Sequence, residues 1–457
     1  MLDEIKALFE ERLGRYQATI ALEPADRIPI APGTNYFSEI YSGCTNQEIV
    51  YDPQRWLEAE VAFSRAFPEV DVLRSNRLWA PLHDTVGYKL FRLPGRDLPP
   101  RTQFQYVEQE YMKADEYRLL LDEPLTFIVE RYLPRVLGEF AERGSTRSYL
   151  AFLKGGMAYV MQAQIMRQRA DYLETQLGLP QPMAGGILAP FDYLADGLRG
   201  LNGIMLDIRR QPDNVLAACD AIVPELVSAA LAGADPLRRY PIFLPFHKGC
   251  FLSPKQFDTF YWPSTKKAMM MLIDAGYVVR AYLEGDWTPH WHHMLELPRG
   301  KVVCDIDVEA DIARAKADIG HHHCVAGGVP DSLLILGTPS EVRERVKLLC
   351  ETVGKDGGFI ISGGCNIPYD TKPENFRAMI DAILEFGTYD PSVKPKPKVV
   401  SGPPPDAEGI IRPYLVFPWE EKRAELGGVL GDADLIRRPW EMLEAKAYHW
   451  LWMWSHA

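Results

Sequence analysis

"KVVCDIDVEADIARAKADIGHHHCVAGGV", residues 301–329, is the stretch that decides the fold class. Its two ends, 301–307 and 323–329, are short runs, apolar almost continuously. Runs of this kind suit strands buried on both faces, as in a parallel sheet. Between them, 309–318 carries a helical pattern. The stretch therefore reads as one strand–helix–strand unit with parallel strands.

The same alternation extends in both directions. Further strand candidates are 28–33, 70–74, 183–190, 240–246, 277–284 and 357–364, bounded by Gly and Pro. Helical patterns cover roughly 46–66, 104–143, 146–175, 212–233, 254–275, 339–354 and 373–387. Several open on clear start signals: Ser253 before Pro254, Thr338 before Pro339, and Pro373 with Glu374. Eight strands alternating with helices predict a TIM (β/α)8 barrel. A doubly wound sheet is the competing architecture. No G-x-G-x-x-G follows the first strand, which counts against it.

Two regions exceed a plain barrel. Residues 75–182 separate the second and third strands by far more than one helix. They are expected to form a hairpin, within 78–95, and a helical cap over the barrel mouth. Residues 1–388 then make a single barrel domain. Residues 389–457 form a C-terminal extension, a stiff Pro- and Lys-rich linker followed by an aromatic tail. Trp440, Trp450, Trp452 and Trp454 crowd into that tail. It is expected to dock on its own barrel or on the second subunit of a homodimer.

Composition narrows the function classes. The 457 residues are 47% hydrophobic and 25% charged, ordinary for a protein with a large core. The net charge is −12 and no basic stripe stands out, so nucleic acid is not expected as a partner. The first sixteen residues read as an amphipathic helix without a signal-type apolar core. No apolar run approaches the ~18 residues a membrane span needs. The 7 cysteines lie mostly in apolar runs, which suits a reducing compartment and a cytoplasmic setting.

In a TIM barrel the active site lies at the carboxyl ends of the strands. That rule brings forward His247 and Cys250 after the fourth strand, and Glu284 and Asp286 after the fifth. Asp305 and Asp307 come from the sixth and Cys365 from the eighth. Glu284, His247 and Asp305 are the candidate catalytic residues. The candidate substrate pocket adds Asn35, Tyr36 and Phe37 after the first strand and Phe191 and Asp192 after the third. Tyr282, Trp287, His290 and Asp307 complete it. The run His321–His323 starts the seventh strand and so belongs to the opposite, stability-bearing end. Neighbouring strand residues also point to opposite faces, so three in a row cannot converge on one ion.

From about Pro245 to Gly387 the chain resembles the uroporphyrinogen decarboxylase superfamily. The resemblance rests on "FLSPKQFDTFYWP" (251–263), "LEGDWTP" (283–289), "DIDVEADIARAKADIG" (305–320), "VAGGVPDSLLILGTPSEVRERVK" (325–347) and "GGFIISGGCNIPYDTKPENFRAMIDAI" (357–383), in that order. The stretch 186–215 is similar in the same way. The resemblance implies a TIM barrel and one of two chemistries, porphyrinogen decarboxylation or methyl transfer with a corrinoid protein. Decarboxylases of that superfamily carry an Arg-Gln-Ala-Gly-Arg-Tyr signature after the first strand. Here that place reads "APGTNYFSEIYSG" (31–43), without either arginine.

The thiol-directed methyltransferases of the superfamily bind zinc through His-x-Cys after the fifth strand and Cys after the eighth. Mapped here, those places are Tyr282, Glu284 and Cys365, so one of the three ligands is kept. A mixed zinc site of His247, Glu284 and Cys365 remains chemically sound. No D-x-H-x-x-G cobalamin motif occurs in the chain, so cobalamin is expected on a separate corrinoid protein. The resulting expectation is a methyltransferase acting between that protein and a small methyl donor or acceptor. A decarboxylase-like lyase acting on a non-porphyrin substrate is the alternative.

Overall fold

The computed structural model describes residues 2–75, 78–364, 366–400, 402 and 415–456. The chain folds as a TIM barrel. β1 (Gly33–Asn35) and β2 (Arg74–Ser75) pair in parallel, and β3 (Phe91–Arg92) and β4 (Gln105–Tyr106) pair antiparallel. β5 (Ile242–Phe246), β6 (Val279–Leu283), β7 (Val302–Ile306), β8 (Cys324–Gly328) and β9 (Phe359–Ser362) form a parallel sheet in chain order. A parallel bridge from Ile30 to Ile361 joins the first barrel segment to the last. Another, from Gly186 to Phe243, joins the third to β5. The segment predicted as a strand over 183–190 is thus extended chain holding one bridge. Among the described residues no bridge joins it to β2.

β7 and β9 are buried at every position, and β5, β6 and β8 at most positions. Helices cover the outer face and side chains fill the inner one, which is why these strands read as continuous apolar runs. Their register places Tyr282 between Pro245 and Asp305. At Gly327, φ is +122° and a Cβ would sit 2.6 Å from the Ile306 carbonyl oxygen, so only glycine fits against β7. The helix starts follow the sequence signals. Ser253 with Gln256 and Thr338 with Glu341 form capping boxes, and Asp311 accepts from the amides of Ala313 and Arg314.

The amino-terminal end of the barrel is plugged by the helix Leu2–Ile20. Tyr16 from that helix donates to the Pro182 carbonyl (2.9 Å) and accepts from Arg280 (3.0 Å). Arg280 makes a two-pronged pair with Asp305 (2.6 and 2.8 Å), both side chains buried. Among the described residues one helix, Pro212–Gly233, is long and apolar enough to cross a membrane, and more than half of its apolar window is buried within the fold.

The cap departs from its sequence reading. Residues 78–95 hold a helix, Ala80–Val86, ended by Gly87 at φ +66°, before β3. The hairpin partner of β3 is β4, beyond Pro94, Pro99 and Pro100. The continuous helix predicted over 104–143 is instead β4, a short helix, Tyr117–Asp122, and a second helical run over 124–136 whose middle, Ile128–Tyr132, is π-helical. Proline inside such a pattern removes a backbone donor and breaks the helix. The tail docks on the chain's own barrel: Trp452 is buried, Tyr448 donates to Glu225 (2.8 Å), and Trp450 lies on Gly156. The linker runs along the first helix, where the Lys398 amide donates to Gln17 (2.6 Å).

Candidate active site

A cavity of ≈ 370 Å³ opens at the carboxyl ends of the barrel strands. His247 and Lys248 reach it from the end of β5, Glu284 from the end of β6, and Leu188 from the third segment. The next stretch contributes Tyr193, Asp196 and Gly197 from a π-helical segment, Tyr193–Arg199. Such widened turns re-aim side chains and recur at functional sites. The cap hairpin forms the roof, with Phe91 on β3, Phe104 and Tyr106 at β4, and Glu108 just beyond.

The roof is tied to the π-helical segment at several points. Tyr106 donates its hydroxyl to the Asp196 carbonyl (3.0 Å), and the Leu201 amide donates to Glu108 (2.7 Å). Arg199 pairs with Glu110 and Asp207 (2.6 Å each) and donates to the Met112 carbonyl. Cap and barrel therefore hold the cavity rings and its charges in one frame.

A chain of ion pairs crosses the floor. His247 donates from Nδ1 to Asp196 Oδ2 (2.6 Å), and its Nε2 faces Glu284 Oε2 at 3.8 Å. Lys248 Nζ lies 3.0 Å from Asp196 Oδ1 and 2.9 Å from Glu108 Oε2. Beneath them Asp192 accepts from the backbone amides of His247 (2.8 Å) and Lys248 (3.0 Å) and from the Tyr261 hydroxyl (2.6 Å). Asp192 thus fixes the turn that presents both cations.

Burial alone would strip the proton from His247. The hydrogen bond to Asp196 and the charges of Asp192, Asp196 and Glu284 outweigh it and push the imidazole up to about 9. Burial likewise opposes the charge on Lys248, yet Asp196 and Glu108 raise its pKa above the ordinary lysine value. Burial would raise Asp196, but His247 and Lys248 hold it below the usual carboxylate range. Burial lifts both Asp192, to about 6, and Glu284. At neutral pH His247 is an imidazolium with one N–H pointed at the cavity, the condition for a general acid.

Of the expected catalytic and metal-binding residues, His247 and Glu284 come together on the cavity. Cys365, the third expected ligand, and the side chain of Asn35 lie outside the described residues. Asp305 is corrected: its buried side chain is committed to Arg280 inside the barrel and does not line the cavity. Four pocket expectations are corrected likewise, because their rings turn inward to pack. Phe37 sits among Phe63, Phe67 and Phe376. Phe191 packs on Tyr261, and Trp287 stacks on Phe246 at 5.1 Å. His290 stacks on Phe257 at 4.2 Å and bonds the Leu252 carbonyl.

The other expected residues stand one layer back. Tyr36 meets cavity-lining Phe104 edge-on. Asp307 accepts from the Gly285 amide (2.8 Å) and steadies the turn carrying Glu284. Tyr282 is half-buried on β6 and does not line the cavity. The sequence reading missed Asp196, Lys248, Glu108 and the four rings. The four-residue spacing of Asp192 and Asp196 after the third segment was the available signal for the first of these.

His247 Nε2 and Glu284 Oε2 converge as two donors of the mixed zinc set. A carboxylate on the other ring nitrogen, as Asp196 is here, matches the outer partner of metal-bound histidines. Among the described residues no group of three metal-ligating side chains converges. The third donor of the set would be Cys365.

A barrel closed at one end by a helix, with charged strand-end residues under a separate roof, defines a TIM-barrel protein whose site lies at the carboxyl face. More particularly, the chain belongs to the uroporphyrinogen decarboxylase (URO-D) family, whose model matches residues 154–386, about half of the chain. The uroporphyrinogen decarboxylase of Psychromonas ingrahamii is 33% identical over 86 residues, 18% of this chain and 24% of that protein. That of Pseudoalteromonas translucida is 26% identical over 176 residues, 36% of this chain and 46% of that protein. These matches therefore span less than half of the curated relatives' length. A methyltransferase from Methanosarcina mazei shares the fold with a TM-score of 0.58 at 17% identity, over 83% of this chain and 98% of that one.

Proposed function

We propose that the protein is a methyltransferase that moves a methyl group between a small organic substrate and the cobalamin of a separate corrinoid protein. The observation that carries this reading is the charge of the cavity. A porphyrinogen bears many carboxylates, and holding them takes several free cations. Here Lys248 is shared between Glu108 and Asp196, and His247 between Asp196 and Glu284. Among the described residues no arginine lines the cavity. Its aromatic walls and few convergent polar groups suit a small substrate. The fold likeness to a methyltransferase supports the same reading.

The chain's own residues bind, orient and protonate. The roof rings hold the substrate's apolar part, and Asp196 fixes the orientation of the His247 ring. His247 Nε2 delivers a proton to the heteroatom that loses its methyl group, and takes one back in the reverse direction. Glu284 steadies the imidazolium. In place of that proton, a zinc ion held by His247, Glu284 and Cys365 would supply Lewis acidity toward the same heteroatom. The cobalamin, when its protein docks, supplies the nucleophile or the methyl donor.

The test combines the purified chain, a reduced corrinoid protein and a panel of O-, S- and N-methyl compounds, followed through the cobalt absorption spectrum. Methyl transfer that depends on both proteins is expected. Sustained product formation by the chain alone, without cobalamin, would overturn the proposal in favour of a lyase. Metal analysis of Glu284→Gln and Cys365→Ser tests the zinc component: each is expected to lose metal, and full occupancy in both would exclude that ligand set.

A further inference from the structure

The cavity also carries information on the class of methyl donor. Its walls are four aromatic rings, Phe91, Phe104, Tyr106 and Tyr193. Phe91 meets Phe104 at 5.3 Å and 66°, and Tyr106 at 5.4 Å and 78°, so the rings form a corner and not a flat stack. A corner of rings presents negative π-faces along several directions to one small group. Among the described residues three carboxylates stand around its rim, Glu108, Asp196 and Glu284, against two cations, His247 and Lys248. The cations are already paired, which leaves a surplus of negative charge. Glu284 is the half-exposed member, with its nearest cationic partner at 3.8 Å.

We infer that the methyl donor is a quaternary ammonium compound, its N-methyl groups against the rings and its charge opposed by Glu284 and Asp196. The inference rests on the methyltransferase reading above without its zinc component, since Glu284 and His247 Nε2 must be free of metal, and it names the substrate class. Aromatic enclosure with nearby carboxylates is how proteins recognise fixed cations that cannot donate hydrogen bonds. The chemistry balances. One N–CH3 bond breaks and its electron pair stays on nitrogen, leaving a neutral tertiary amine. The methyl group forms its new bond with an electron pair from the reduced cobalt(I) corrinoid of the partner, which is thereby oxidised to cobalt(III). The amine then takes the Nε2 proton of His247, which prevents its re-methylation.

Choline and 3,3-dimethylbutan-1-ol have nearly the same shape and differ in charge, so they separate cation recognition from apolar fit. In calorimetric titration of the full chain, choline is expected to bind at least about tenfold more tightly. Tyr106→Leu, Phe104→Leu and Glu284→Gln are each expected to erase most of that preference while melting normally. Equal affinity for the two probes, or binding of neither, overturns the inference. Two failures remain distinguishable. Methyl transfer from neutral O- or S-methyl donors with no choline preference sinks the substrate class alone. A choline preference without transfer to any corrinoid protein sinks the methyltransferase reading and leaves the cation site standing.

Discussion

Asp196→Asn gives the sharpest test of the floor of the site. Asp196 Oδ2 accepts from His247 Nδ1 at 2.6 Å, and this hydrogen bond is the largest influence favouring the imidazolium. Moving a histidine from 6.5 to about 9 corresponds to ~3 kcal/mol, an upper bound because the ring is 30% exposed. Asp192 and Glu284 remain in the variant, so the imidazole is expected to fall by about one to two pH units and not the whole way. Nitrogen-15 NMR of histidine-labelled protein reads this directly, with His247→Gln identifying the signal among 10 histidines. The folded protein holds this proton more tightly than the unfolded chain does. Its contribution to stability is therefore complete below about 6.5 and lost as pH rises through about 9. The stability gap between wild type and variant should shrink over that window. The pH limit of methyl transfer should move down with the imidazole. A wild-type ring titrating near 6.5, or one unmoved by Asp196→Asn, would refute the reasoning.

Other perturbations test the frame around the site. Asp305→Asn removes the buried carboxylate charge opposite Arg280 and is expected to cost ~3–5 kcal/mol in chemical denaturation. Turnover per folded molecule should persist; a large loss at unchanged stability would return Asp305 to the catalytic set. Glu39 is fully buried, and burial with the charge of Glu60 pushes it up to about 8. Its folded form favours the proton, so stability is lost between about 4.5 and 8; Glu39→Gln should gain on the order of 1–2 kcal/mol at pH 8 and little at pH 4.5, by urea unfolding. Gly156→Val puts side-chain carbon into the Trp450 ring, since a Cβ there already sits 2.6 Å from it. Faster proteolysis of the helix Ala433–His456, with choline binding unchanged, is the expected outcome.

The barrel was legible because its signal is local. A parallel strand buried on both faces must be apolar throughout, so 301–307, 277–284 and 357–364 announce themselves without any knowledge of their neighbours. The caps at Ser253 and Thr338 are equally local, three or four residues long. The cap failed for the converse reason. Its elements are short and their pairing is set at a distance, as when Phe91 aligns with Tyr106 and Arg199 gathers Glu110 and the Met112 carbonyl. No periodicity within 104–143 records contacts made with 190–210.

The site divides along the same line. The strand-end rule finds His247 and Glu284 because a barrel puts the end of every strand at one mouth. It ranks Asp305 too high, since position along the strand does not say which residues sink into the interior beside Arg280. It is silent on Phe91, Phe104 and Tyr106, which reach the cavity from the roof. The family match, 154–386, spans His247, Lys248, Asp196 and Glu284, whereas those three rings and Glu108 precede it. The proposed proton-handling groups thus sit within the family match, and most of the proposed substrate-binding surface sits on the segment that the match leaves out. Glu108 joins the two through Lys248 at 2.9 Å. Changing the roof would therefore change what binds while His247 and Asp196 stay in place, which is the arrangement expected where one barrel serves different substrates.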